Sequence, residues 1–203
     1  MSPKASIKQQ LQRVREQAIV GAVNRLLATK GYDAMTMDEV AAEAGLAKAS
    51  LYRLFPSKEE LAGAAMVAVL ERALAFVDER RALEPLPTPL EQLKALTGWA
   101  MLTQLEGEMP TLPAQNSSLS TALQSNDAYM DRLISLSNRL SIWIAEAQAS
   151  GDIRPELPPE LPLYIFFARA CDPVVAMLKS SGQYTNAQIV DWINATTFEG
   201  LQG

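Results

Sequence analysis

The 203-residue sequence contains no histidine and one cysteine, Cys171. Without histidine it lacks the commonest general base and the commonest metal ligand. A single thiol cannot replace them in a zinc site, nor form an internal disulfide. The single cysteine favours a reducing compartment, and the lack of histidine points away from catalysis, metal or cofactor. No apolar run is read as reaching the roughly 20 residues that span a bilayer, and the start, MSPKASIKQQLQRVREQ, is polar and basic, unlike a secretory leader. The expectation is a cytoplasmic protein with no membrane partner. Strictly alternating apolar and polar runs are also missing, so no strand is predicted.

Charge is scarce overall but unevenly placed. The net balance is −5, yet residues 1–58 carry nine Lys or Arg against five Asp or Glu. That segment is +4, which leaves −9 for the remaining 145 residues. Such asymmetry describes a basic head on an acidic body.

The dominant signal is helical. Ile19, Ala22, Val23 and Leu26 recur at i, i+3, i+4, i+7 and predict an amphipathic helix over about 8–30, stopped by Gly31. Four segments, TMDE at Thr36, SKEE at Ser57, TPLE at Thr88 and TNAQ at Thr185, have the form of capping boxes. They predict helices near 37, 57–82, 89–105 and 186–199. EPLPTP at 84–89 reads as a hinge, and 106–118 as a loop. The stripe Tyr129, Leu133, Leu136, Leu140, Trp143, Ala147 predicts a helix ending at Gly151. Residues 160–180 are apolar almost all round and predict one helix, buried on several sides and kinked at Pro173.

Residues 37–54 have the spacing of a helix-turn-helix. Gly45 is the turn glycine, Ala41 permits close approach, and Val40, Ala44, Leu46, Leu51 and Leu54 supply the apolar seam. The second helix, about 48–55, then presents Lys48, Ser50, Tyr52 and Arg53 outward, a polar face suited to a DNA major groove. The stretch IVGAVNRLLATKGYDAMTMDEVAAEAGLAKASLYRLFPSKEELAGA resembles the DNA-binding head of TetR-type transcriptional regulators. The resemblance rests on KGY, on T-x-x-x-V-A-x-x-A-G, on K-x-S-L-Y and on F-x-S-K-E-E-L, in that order.

The resemblance implies an all-α fold of about nine helices. A three-helix head over 12–72 would bind DNA, and a body over 86–203 would bind an effector and dimerise. It implies phosphate contacts for Lys48, Tyr52 and Lys58, groove contacts for Ala49, Ser50 and Arg53, and a phosphate-facing cap at Thr36. Two departures stand out: Ala47 replaces a common capping serine, and Leu54 a common tyrosine. Lys4 and Lys8 could compensate in the minor groove. The implied partners are a pseudo-palindromic double-stranded operator, a second copy of the chain and an unknown small-molecule effector. The alternative is a regulator without effector, whose body serves dimerisation or protein contact. Candidate effector-binding residues are Trp99, Leu102, Trp143, Tyr164, Phe167, Arg169 and Asp172. Arg169 and Asp172, three apart on an apolar helix, need partners. Pairing with each other, with a second protomer or with a ligand all remain open from the sequence.

Overall fold

The computed structural model describes residues 3–110 and 117–201, with side chains from residue 14 onward. Among these residues there are ten helices and no strand: α1 Pro3–Ala34, α2 Met37–Glu43, α3 Lys48–Leu54, α4 Lys58–Arg81, α5 Pro89–Leu105, α6 Ser118–Gln124, α7 Asp127–Ala149, α8 Glu160–Arg169, α9 Pro173–Ser180 and α10 Asn186–Glu199. The side chains of Lys4 and Lys8, and residues 111–116 of the segment read as a loop at 106–118, lie outside the described residues.

Helix starts follow their predicted chemistry. Thr36, Thr88 and Thr185 form complete capping boxes, each reciprocated by the residue three positions on. Ser57 accepts from the Glu60 amide. At Gly31 the backbone adopts φ 75°, which ends the regular part of α1.

Two cores result. The head core joins Ile19, Val23 and Leu27 of α1, Val40 of α2, Leu51 of α3 and Leu61 of α4. The body core joins Val77 of α4, Leu93 of α5, Trp143 and Ile144 of α7, and Phe198 of α10. Helix α4 belongs to both. Its first half supplies Leu61, Ala62, Ala65 and Met66 to the head, and its second half supplies Ala73 and Val77 to the body. Exposed pairs Glu71–Arg132 and Asp78–Arg139 tie α4 to α7.

Three features depart from expectation. Helix α6 is absent from the sequence reading, because seven residues are too few to show periodicity. It forms because Leu119 and Leu123 bury themselves in the head core and Ser117 caps it. The apolar stretch 160–180 is not one kinked helix. It breaks after Arg169, and Asp172 starts α9 by accepting from the Val174 amide at 2.9 Å, with Pro173 in the first turn. Nor is it buried: Tyr164 is 67% and Met177 70% exposed. By length and composition this stretch, of mean hydropathy 1.5, is apolar enough to cross a membrane, contrary to the sequence reading. The break, however, leaves helices of 10 and 8 residues, each well short of a roughly 20-residue span.

Candidate nucleic-acid interface and effector cavity

The turn between α2 and α3 closes as a Schellman motif. The Leu46 amide donates to Ala41 O at 2.8 Å and the Gly45 amide to Ala42 O at 3.2 Å, with Gly45 at φ 66°. This fixes α3 so that Leu51 is fully buried while Lys48, Ala49, Tyr52 and Arg53 are exposed and Ser50 is half-buried. Leu54 is half-buried against the head core, so it is a packing residue here. The α3 N-terminus has no side-chain cap, as Ala47 dictates. Its first-turn amides are therefore left to solvent or to an anion.

Helix α2 carries three carboxylates in seven residues, and each meets a head cation. Asp38 pairs with Lys48 at 2.7 Å, Glu39 with Lys30 at 2.5 Å and Glu43 with Arg25 at 2.7 Å. The Asp38 hydrogen bond holds the Lys48 ammonium above its ordinary range. Lys30 and the Thr36 cap hold Glu39 below its own. The Lys58 ammonium donates to Asp33 O at 3.1 Å and sits 4.4 Å from the Tyr32 ring centroid. The Thr36 hydroxyl donates to Glu39 and accepts from the Glu39 amide. Lys48, Tyr52, Arg53 and Thr36 are all exposed on the head, and Lys48 and Lys58 already hold internal acceptors.

Behind this face a polar cluster joins head to body. Tyr32 Oη lies 3.2 Å from Ser118 Oγ, which donates to Glu59 Oε1 at 2.8 Å. Hydrogen bonds from Tyr32 and Ser118 hold the Glu59 carboxyl below the usual carboxylate range. Burial pushes the Tyr32 phenol up.

The body contains an apolar cavity of about 390 Å³. Its walls come from α4 (Met66, Val69, Leu70, Ala73), α5 (Leu93, Leu96, Trp99), α7 (Tyr129, Leu133, Leu136, Leu140) and α8 (Leu163, Phe166, Phe167). Among the described residues no charged side chain lines it; Thr97, Ser137, Tyr129, Tyr164 and Cys171 supply its polar groups. Burial pushes the Tyr129 phenol up, with Cys171 adding to the shift. Among the candidate effector residues, Trp99, Tyr164 and Phe167 line this cavity. Trp99 stacks on Phe76 at 5.6 Å. Trp143 lies instead in the body core, and Leu102 is exposed on α5. Arg169 and Asp172 pair with each other at 2.6 Å and take no part in the lining. The ion pair balances their charges, while among the described residues Arg169 Nε and Asp172 Oδ2 are buried without a hydrogen-bond partner. The α7 lining residues were visible as a stripe, but a stripe alone does not separate a core from a cavity wall. Met109 and Pro110, also in the wall, lie in an aperiodic segment that gave no signal.

Comparison with known proteins separates the head from the whole. Residues 19–65 match the family model described as bacterial regulatory proteins, tetR family. The chain is 32% identical over 117 residues to the HTH-type transcriptional repressor KstR of Rhodococcus jostii, covering 58% of this chain and 51% of that protein. It is 47% identical over 53 residues to an uncharacterized HTH-type transcriptional regulator of Mycobacterium tuberculosis, covering 26% of each. The chain thus spans about half the length, or less, of these curated relatives. Over the whole fold it resembles the ketosteroid transcriptional regulator KstR2 of Mycobacterium tuberculosis, with TM-score 0.67, 20% identity and coverage of 93% and 95% of the two chains. It also resembles FadR from Bacillus subtilis in complex with stearoyl-CoA, with TM-score 0.65, 19% identity and coverage of 92% and 99%. At these identities the likeness is one of fold.

Proposed function

We propose that the chain is a TetR-type transcriptional regulator, as its head's match to that family suggests, and that it acts as a homodimeric repressor released from a pseudo-palindromic operator by an apolar small molecule. The observation that carries this reading is one helix, α4, holding the head core at one end and walling an uncharged cavity at the other. Residues 12–72 form the DNA-binding head and 86–203 the effector-binding and dimerisation body. It works in the cytoplasm, where its operator is.

In this account α3 enters the major groove. Lys48, Tyr52 and Lys58 hold phosphates, with Thr36 facing the backbone from its cap. Ala49, Ser50 and Arg53 meet base edges or the groove walls. Two heads in successive grooves need centres about 34 Å apart. The second copy packs on the outward apolar face of α8 and α9, where Leu161, Tyr164, Val174 and Met177 are exposed, together with α10. An occupant of the cavity bears on Met66, Val69 and Ala73 of α4, tilts that helix and changes the spacing of the heads. Coupling of about 1–3 kcal/mol gives 5- to 150-fold loss of operator affinity. Support for an apolar effector comes from the uncharged lining and from the fold's likeness to regulators whose names refer to ketosteroids or whose structure holds stearoyl-CoA.

The test is operator release. A duplex selected by the purified protein is titrated in the presence of steroid and acyl compounds. Release by an apolar compound, abolished in an Ala73→Trp variant that fills the cavity, is the expected result. Release that survives the filled cavity contradicts the reading.

A further inference from the structure

Next to the apolar cavity lies a second one, of about 470 Å³, with different chemistry. The two share four lining residues, Met109, Pro110, Ala170 and Cys171. The partition is therefore thin. It consists of a flexible thioether, a methyl group and a thiol that leans on Pro110 O at 3.9 Å. Met109 has three rotatable side-chain bonds, and such side chains re-pack readily.

The second cavity opens to solvent past Ala176, Lys179 and Ser180 of α9, all exposed. Its floor is Leu105 and Val175, and Gln104 contributes an amide that donates to Asp172 O. Among the described residues, Lys179 is the one charged residue in its lining. The ammonium of Lys179 donates to Asn186 Oδ1 at 2.7 Å, a neutral acceptor, and among the described residues no carboxylate lies within ion-pair distance. The nearby Arg169–Asp172 pair is internally balanced. The second cavity therefore carries an excess positive charge beside a predominantly apolar one. Its remaining wall is Ala28 of α1, a residue of the head.

On the reading that the body takes an apolar effector, we propose that this effector is amphipathic and anionic. An acyl chain or similar apolar body fills the apolar cavity, and a negatively charged head sits in the second cavity beside Lys179. The apolar cavity offers no countercharge among its described lining residues, so a charge placed against that lining would give up hydration for no ionic partner. In the second cavity the same charge keeps water on one side and gains Lys179 on the other. The head group then also touches Ala28, so the ligand spans body and head directly. The anion has two sources, a free carboxylate or the phosphates of a carrier thioester.

The experiment titrates intrinsic tryptophan fluorescence, to which Trp99 in the cavity wall contributes, with 1-dodecanol, dodecanoate and dodecanoyl-CoA. The expected result is that at least one anionic probe binds about tenfold more tightly than the alcohol. Lys179→Gln should abolish that preference and leave alcohol binding unchanged. Tighter dodecanoate identifies the carboxylate, and tighter dodecanoyl-CoA the carrier. Equal binding of alcohol and both anions, or a preference that survives Lys179→Gln, overturns the proposal and leaves the apolar-effector reading standing. Failure of all three probes to bind overturns the proposal, and the apolar-effector reading then stands or falls by the operator-release test with steroids. Lys179 is exposed, so the variant should fold, and circular dichroism checks this.

Discussion

Asp38 occupies, in the free protein, the place a phosphate takes in the proposed complex. Its carboxylate lies 2.7 Å from Lys48, with both side chains more than half exposed. DNA must therefore exchange one anion for another at this lysine. Surface pairs hold their partners weakly, so the exchange is easy but not free. Lys48→Ala should weaken operator binding and lower the salt slope by about one unit, since one phosphate contact is lost. An unchanged slope removes Lys48 from the interface. Asp38→Asn should act in the opposite direction and tighten binding a few-fold, about the size of a surface ion pair. Weaker binding in Asp38→Asn would mean that the carboxylate positions Lys48 instead of competing for it. Both are measured by fluorescence anisotropy across a salt series. All three tryptophans, Trp99, Trp143 and Trp192, lie in the body. Intrinsic fluorescence should therefore change with effector and respond little to DNA. A strong response to DNA alone would contradict a body read separately from its head.

At the scale of elements, α6 is the piece that binds body to head. It places Leu119 and Leu123 in the head core and Ser118 between Tyr32 and Glu59. The Glu59 carboxyl is held below its ordinary value in the folded state. A depressed carboxyl pKa contributes stability above the unfolded value, and that stability is lost as pH falls through the folded one. The folded protein should thus lose stability on acidification below the ordinary carboxylate range. Ser118→Ala should flatten that part of the profile, because one of the two donors holding the carboxylate is gone. An unchanged acid limb in urea melts at stepped pH would show that the cluster does not titrate with folding. Leu119→Ala, which empties a fully buried site, should cost about 2–5 kcal/mol.

Much of this element plan was legible in the sequence, and the reasons differ from place to place. Thr88 and Thr185 announce their helices because a capping box is local chemistry, complete within four residues. Gly45 was legible because the α2–α3 turn needs a left-handed residue that few others supply. Helix α6 was not legible: its stability comes from a distant core. The break at 170–172 was half-legible, since Pro173 marked the place, but an apolar stretch says nothing about which neighbours cover it. The same limit applies to the site. The face of α3 follows from spacing, whereas the cavity is a void between four helices, and Leu102 and Trp143 look no different in sequence from Trp99.

For the whole molecule, the uncovered apolar face is the governing fact. Leu161, Tyr164, Val174 and Met177 project from α8 and α9 beside exposed Trp192 of α10. These exposed apolar groups are what the proposed dimer would cover. A dimer formed there places two basic heads at a fixed spacing, and spacing is what the proposed effector alters. The double variant Tyr164→Glu, Met177→Glu should sediment as a monomer and lose most operator affinity, while a dimer that persists would move the interface elsewhere. The central claim is that this chain reads duplex DNA as a symmetric pair of α3 helices. The most direct test is selection from a random duplex pool with the purified protein, followed by sequencing of the bound fraction. Enrichment of a pseudo-palindrome with half-sites about 34 Å, one helical turn, apart, lost in a Tyr52→Ala, Arg53→Ala variant, is the predicted result. A pool that shows no enriched sequence, or an asymmetric site bound equally by the variant, would contradict it.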